Sequence, residues 1–262
     1  RLDELGSHIL ESLWKQIQEE FPCDDSELTP VQRMREEHDH FIETHSRLFV
    51  GRSGLLRQME NSVTGSRTIN NPQKPVVVVG LPGSGKTSLV SAFARDMKKK
   101  FIDRENGVVL AHFIGGAPGS TNLRLMLYRL CMELWSLWDI GPLDQIPQNY
   151  PDLEAEFLRL VKHNEEIEDT KNIAPVPVLI ILDALNQFDD AHTPWTLQWL
   201  AKEFRPGVRV IVSTLRGKYY DNISSITPTY DHIVVEPLTT QESCDIIKER
   251  LAKHSKKLNR KQ

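Results

Sequence analysis

The chain has 262 residues, 39% of them hydrophobic, and its 32 Lys and Arg against 36 Asp and Glu leave a net charge of −4. That length suits one α/β domain with helical additions, no apolar run approaches the ~18 residues of a membrane span, and the charge argues against a strongly basic nucleic-acid binder. Cys23, Cys131 and Cys244 are odd in number and lack zinc or CxxC spacing. Reduced thiols in a cytoplasmic protein are therefore expected in place of a disulfide framework. The sequence begins at Arg1 and ends in a basic stretch from Lys253 to Lys261, and is expected to be a piece of a longer chain.

Residues 1 to 20 carry Leu2, Leu5, Ile9, Leu13, Trp14 and Ile17 at helical spacing. Phe21-Pro22 ends that helix. It is either the tail of a preceding domain or a helix packed on this one, and residues 1–28 are set apart on that ground. Thr29-Pro30-Val31-Gln32 reads as a helix start, with Thr29 and Gln32 forming a capping box and Pro30 at the first position. Val31, Met34, His38, Phe41, His45 and Leu48 then recur on one side. His38 and His40 point to different faces, and no carboxylate pattern supports a metal site there. Phe49-Val50-Gly51-Arg52 leads into a short helix with Leu55, Leu56 and Met59. Residues 61 to 75 are polar and expected to loop over the surface.

Val76-Val77-Val78-Val79 is a buried strand, and it runs into Gly80-Leu81-Pro82-Gly83-Ser84-Gly85-Lys86-Thr87. This fits G-x-x-x-x-G-K-[ST], the phosphate-binding P-loop between a strand and a helix. Glycines let the backbone approach closely, so that successive N–H groups converge on phosphate oxygens at the positive end of the following helix. Lys86 should reach the β- and γ-phosphates, Thr87 should ligate Mg²⁺, and Ser88 should lie near the α-phosphate.

Further strands are expected at Val108 to Ile114, Val178 to Leu182, Val208 to Val212 and His232 to Val235. Between them come a helix from Ser120 or Thr121 through Trp138, another from Pro151 to Val161, and a third from Thr193-Pro194 with Trp195, Leu197, Leu200 and Phe204. Residues 162 to 177 form a charged loop. Thr239 and Glu242 make a second capping box, for a last helix with Ile246, Ile247 and Leu251. Strands alternating with helices predict an α/β fold, a three-layer sandwich with a five-stranded parallel sheet.

The run ending in Asp183 supplies the other half of a nucleotide site. It places a carboxylate at the C-terminal edge of the sheet, where it should hold Mg²⁺ opposite Thr87. Hydrolysis also needs a group that orients or deprotonates water. Ala184-Leu185-Asn186-Gln187 offers no base, although Gln187 can position a water; Asp189 or Asp190 could substitute but are expected to open the following loop, so turnover is expected to be slow. Asn186-Gln187-Phe188-Asp189 lacks the Lys of a guanine reader, which favours ATP over GTP. Ser213 and Thr214 reach the γ-phosphate side if their strand lies between the other two. Arg216 can then sense γ-phosphate charge.

Taken together these residues resemble the STAND class of signalling P-loop ATPases, in the NACHT neighbourhood. The likeness is to the nephrocystin and telomerase-associated-protein types, which precede tetratricopeptide or WD repeats. It covers roughly residues 33 to 255. Glu37-His38 with Phe41 and Phe49-Val50-Gly51-Arg52 look like the family's lead-in. His112-Phe113 with Pro118-Gly119-Ser120-Thr121 looks like its second strand and turn. Ile181-Leu182-Asp183-Ala184-Leu185 is similar to its Mg²⁺ strand, and Glu236-Pro237-Leu238-Thr239 to its entry into a helical lid. The resemblance implies that backbone at Val50, Gly51 and Arg52 cups adenine. It divides the chain into a P-loop domain over 29–236 and the start of a lid over 237–262. It also implies a switch: ADP holds a closed form, and ATP releases one that oligomerises or exposes a surface to protein partners. Many NACHT domains carry acids where this chain has Asn186 and Gln187, and Leu215 intervenes before Arg216. A mechanical ATPase of the AAA type and a scaffold with purely structural nucleotide are the alternatives. A small-molecule kinase lacks an acceptor signature.

Overall fold

Strands buried on both faces need apolar side chains in both directions, so they appear in sequence as unbroken runs of Val, Ile and Leu. Five runs of largely this kind pair in the computed structural model, which describes residues 12–13, 29–47, 49–64, 73–105, 107–164, 174–226 and 232–253. They are β1 (Val76–Gly80), β2 (Val108–Phe113), β3 (Val178–Asp183), β4 (Val208–Thr214) and β5 (His232–Val235). The sheet is parallel throughout, in the order β2-β3-β4-β1-β5. β4 thus lies between the P-loop strand and the Asp183 strand, as the reading of Ser213 and Thr214 required.

The chain divides into two compact units, Arg1–Arg33 and Met34–Gln262. In the first, Thr29 and Gln32 form the expected reciprocal cap, with Thr29 N–H donating to Gln32 Oε1 at 2.8 Å and Gln32 N–H to Thr29 Oγ1 at 3.3 Å. The helix expected over residues 1 to 20 lies outside the described residues apart from Ser12 and Leu13, which are helical.

In the second unit the helices cover both sheet faces. Alternate residues of one strand serve opposite cores: Val178, Ile180 and Leu182 face one, and Leu179 and Ile181 the other. The first core is closed by α4 (Leu123–Leu137), α5 (Tyr150–Val161), α6 (Lys218–Ile226) and the segment around Trp199. The second is closed by α1 (Pro30–Ser46), α2 (Ser53–Thr64) and α3 (Lys86–Glu105), through Ile42, Met59, Val63, Leu89 and Phe93. A last helix, α7 (Thr240–Lys253), follows β5.

Four local expectations change. No helix follows Thr193. A single 3-10 turn, Pro194–Thr196, is flanked by Thr193 and Leu197, both in the left-handed region. Leu197, Leu200, Ala201 and Phe204 recur at helical spacing and are buried, but Trp199, which such a helix would turn to the opposite side, is fully buried as well. Asn122, and not Ser120 or Thr121, caps α4, its side chain accepting from Leu125 N–H. The Ser120 hydroxyl is committed to the preceding turn, where it accepts from Gly115 and Ala117 N–H and donates to Ala117 O. α2 runs on through Thr64, burying Val63, so the loop after it starts later than residue 61. Finally, α6 has no counterpart in the sequence reading.

A buried polar network joins α1, β2 and α4. The Arg129 guanidinium donates to Glu133 Oε1 at 2.5 Å and to Ala111 O at 2.8 Å, and lies 3.3 Å from His112 Nδ1. His112 Nε2 meets Ser120 O at 2.9 Å. His38 accepts the Phe113 N–H through Nδ1, its ring centroid 4.4 Å from that of His112. Burial, followed by the charges of Arg129 and Lys98, lowers the pKa of His38 from 6.5 to about 3. Burial, then Arg129, pushes His112 well below 6.5. Both imidazoles are therefore neutral in the fold, while the unfolded chain takes up protons first as pH drops. Their contribution to stability is complete above pH 6.5 and is lost as pH falls below it. At pH 5 the His38 imidazole should cost about 2 kcal/mol, and His112 adds in the same direction. The melting temperature should accordingly fall between pH 7.5 and 5, and a flat profile would show that the imidazoles are not held neutral.

Candidate functional site: a P-loop facing a buried aspartate

The loop leaves β1 where β5 crowds it. A Cβ on Gly80 would sit 2.3 Å from Val235 O and 2.9 Å from Ser84 Oγ, so no other residue fits without moving β5. Leu81, Pro82 and Gly83 form an exposed rim and Ser84 is buried beneath it; Gly85, Lys86, Thr87 and Ser88 are half-buried. Gly85 has φ +85°, a left-handed conformation that favours glycine. The first turn of α3 closes with Leu89 N–H on Gly85 O at 3.0 Å. Lys86 Nζ donates to Gly80 O at 2.9 Å and Leu81 O at 2.8 Å, which folds it over the loop's rim. Burial lowers its pKa, and the facing Asp183 carboxylate opposes that.

Asp183 is 2% exposed. Ser213 donates its hydroxyl to Asp183 Oδ1 and also accepts the Ala184 N–H at 2.8 Å. One hydroxyl from β4 thus fixes both the acid and the left-handed residue after it, since Ala184 has φ +61°. Burial raises the pKa of Asp183. Hydrogen bonds from Ser213 and Thr87, then the charges of Lys86 and His45, oppose that rise. A buried, acceptor-only carboxylate in contact with the Thr87 hydroxyl is a donor set suited to a hard divalent cation. The loop's rim opens to free space, since nothing lies within 4 Å of a Cβ built on Gly83. Two buried hydroxyls near the loop, Ser84 Oγ and Thr214 Oγ1, have no hydrogen-bond partner among the described residues. The residues present therefore fit a Mg²⁺-nucleotide.

The other candidates are dispersed. Asn186 Oδ1 accepts Leu215 N–H at 3.2 Å and so holds the end of β4. Gln187 is exposed and turned toward Gly115 after β2, where a Gly115 Cβ would meet its Oε1 at 2.1 Å. The Arg216 guanidinium is exposed and lies over the Tyr220 ring at 5.8 Å from the centroid. Val50 is half-buried, and Gly51 and Arg52 both have positive φ, at 76° and 54°. The turn they make carries Arg52 back onto the P-loop, with Nη1 donating to Ser84 O at 2.6 Å. Sequence reasoning missed the roles of Ser213 and of the Arg52 side chain. Their partners lie on other strands and helices, so no spacing in the sequence signals them.

Among the described residues no helix is long and apolar enough to cross a membrane. The AAA ATPase domain model matches residues 48–213, more than half of the chain. A TPR repeat-containing protein of Dictyostelium discoideum is 22% identical over 98% of this chain and 18% of its own length. NACHT and WD repeat domain-containing protein 2 of Mus musculus is 28% identical over 82% of this chain and 12% of its own. Nephrocystin-3 of Mus musculus is 27% identical over 73% of this chain and 13% of its own. The chain thus spans less than a fifth of the length of these relatives. By the family match and by its P-loop architecture, the chain belongs to the AAA ATPase domain family of P-loop NTPases, as a NACHT-like domain of the STAND class.

Proposed function

We propose that this domain is an ATP-dependent regulatory switch of a larger cytoplasmic signalling protein, with slow hydrolysis that resets it. The observation that carries this reading is the asymmetry of the site. The groups that hold phosphate and Mg²⁺ converge: Lys86, Thr87 and Asp183, the last pinned by Ser213. By contrast, no carboxylate stands directly after Asp183, and the next two are engaged elsewhere: Asp189 Oδ1 accepts Ala191 N–H at 3.1 Å and Asp190 lies 3.8 Å from Lys218 Nζ. Asn186 is tied to backbone, and Gln187 is turned to Gly115. Binding is thereby favoured over rapid turnover. Mg²⁺, held by Thr87 and Asp183, would neutralise charge on the phosphates.

A switch requires differential affinity. Inverting a 1:99 population takes about 5.5 kcal/mol, so the γ-phosphate must gain contacts in one state only. Lys86 is the nearest source, because it must leave Gly80 O and Leu81 O to meet phosphate. Arg216 is a second source if it leaves the Tyr220 ring. The adenine would lie against backbone at Val50, Gly51 and Arg52. Residues 29–236 would form the nucleotide domain, α7 would open a helical lid over 237–262, and residues 1–28 would lead in from a preceding segment. The repeats in the names of the relatives support partner binding through flanking repeats.

The family match favours a second reading, a mechanical AAA-type ATPase. Purifying the chain, identifying any co-purified nucleotide and following phosphate release from Mg²⁺-ATP separates the two. Bound ADP with slow turnover supports the switch. Fast turnover that rises with protein concentration supports the mechanical ATPase, since neighbouring subunits would complete its site. ATP that stays bound and uncleaved supports a scaffold with structural nucleotide.

A further inference from the structure

Arg52 contacts three separate elements with one guanidinium. Nη1 donates to Ser84 O in the P-loop at 2.6 Å, Nη2 to Glu236 O beyond β5 at 2.8 Å, and Nε to Glu242 Oε1 in the first turn of α7 at 3.2 Å. Its side chain is 7% exposed. The Glu242 carboxylate is shared. Its Oε2 accepts Thr239 N–H at 2.7 Å, while Glu242 N–H donates to Thr239 Oγ1 at 3.1 Å. The capping box that starts α7 and the Gly-Arg turn before α2 are therefore one hydrogen-bonded unit.

The Ser84 end of this unit bears on the ligand site. A trans peptide is planar, with its C=O and N–H pointing in opposite directions. Holding Ser84 O against Arg52 turns the Gly85 N–H the other way, toward the concavity of the loop. An anion that accepts that N–H polarises the peptide and strengthens the bond from Ser84 O to Arg52, because linked hydrogen bonds reinforce one another. The same guanidinium grips α7 through Glu242.

We propose that Arg52 is a positioning residue that couples occupancy of the P-loop to the seating of α7, with Glu242 as its releasable partner. This rests on the P-loop being a nucleotide site and adds the route by which the nucleotide acts on the lid. By linkage, loosening α7 must weaken nucleotide binding by the factor with which nucleotide tightens α7. The role belongs to the side chain and is separate from any backbone contact with adenine.

The test uses the whole 262-residue chain. Glu242→Gln removes the charge but can still complete the capping box. Thr239→Ala removes the cap but leaves the ion pair. Two quantities are read: hydrogen exchange of α7 amides with and without Mg²⁺-ADP, and the release rate of a fluorescent ADP analogue. In the wild type, Mg²⁺-ADP should slow exchange in α7. Glu242→Gln should abolish that slowing and speed release roughly 5- to 10-fold, within the usual range of coupling between sites. Arg52→Ala added to Glu242→Gln should add less than it does alone. Three results would overturn the coupling while Lys86-dependent binding persists: unchanged release in Glu242→Gln, α7 exchange indifferent to nucleotide, or Thr239→Ala reproducing the full effect. Absence of nucleotide binding by the wild type would remove the site reading and the coupling with it.

Discussion

Replacing Lys86 with alanine should lower the affinity for ATP and ADP roughly 100- to 10,000-fold. The estimate comes from about two charge-assisted hydrogen bonds to phosphate, worth ~1.5–3 kcal/mol each, with tenfold in affinity for every ~1.4 kcal/mol. The fold should tolerate the change. Lys86 is half-buried and its two partners are carbonyls at the rim of the loop, where Leu81 is 53% exposed. Water can replace the ammonium on those oxygens. Calorimetric titration with Mg²⁺-ADP, paired with a thermal melt, separates binding from stability. Affinity within threefold of wild type would falsify the assignment of this loop as the phosphate site. A large drop in melting temperature without ligand would show that the lysine serves the fold more than the nucleotide.

The second large effect is on stability. Arg129→Met should destabilise the domain by about 3–5 kcal/mol, the usual cost of removing one partner of a buried ion pair. Arg129 and Glu133 are 2% and 7% exposed at their side chains. Without the guanidinium the buried Glu133 carboxylate is left with the exposed Arg35, 4.0 Å away, and Ala111 O and His112 Nδ1 lose a donor. At ~2–4 °C per kcal/mol for a domain of this size, the melting temperature should drop by roughly 10 °C. Adding Glu133→Gln should recover a large part of the loss, because the stranded charge is then gone. If the double variant melts no higher than Arg129→Met alone, lost packing and not stranded charge is the cause. β2 should also loosen at its site end, since Ala111, His112 and Phe113 stand opposite Ile181, Leu182 and Asp183.

Much of this architecture is legible in the residues. Both capping boxes, Thr29 with Gln32 and Thr239 with Glu242, formed with the reciprocal bonds their spacing demands. All five strands lie where largely apolar runs put them, because a parallel strand covered on both faces favours apolar side chains in both directions. The failures have physical causes as well. Ser120, Thr121 and Asn122 are three cap formers in a row, and only the need of Gly115 and Ala117 N–H for an acceptor decided among them. α6 buries Tyr219 and Ile223 over about two and a half turns, too short a periodic signal to stand out. After Thr193 the apolar density suggested a helix, yet packing around Trp199 imposed left-handed residues at both ends of a short turn.

The sequence by itself determined the loop's pattern, glycines and Lys-Thr set between a buried strand and a helix, on which the proposal of nucleotide binding rests. Eight contiguous residues form the loop with their own backbone, so their order carries the whole pattern. Tertiary structure alone decided what surrounds the loop. Asp183 and Ser213 are 30 residues apart, and Arg52 and Glu242 are 190 apart. A hydrogen bond across such a distance imposes no periodicity on the chain between its ends. It exists only because the sheet order sets β4 between β1 and β3, and because β5 delivers α7 to the turn at Arg52.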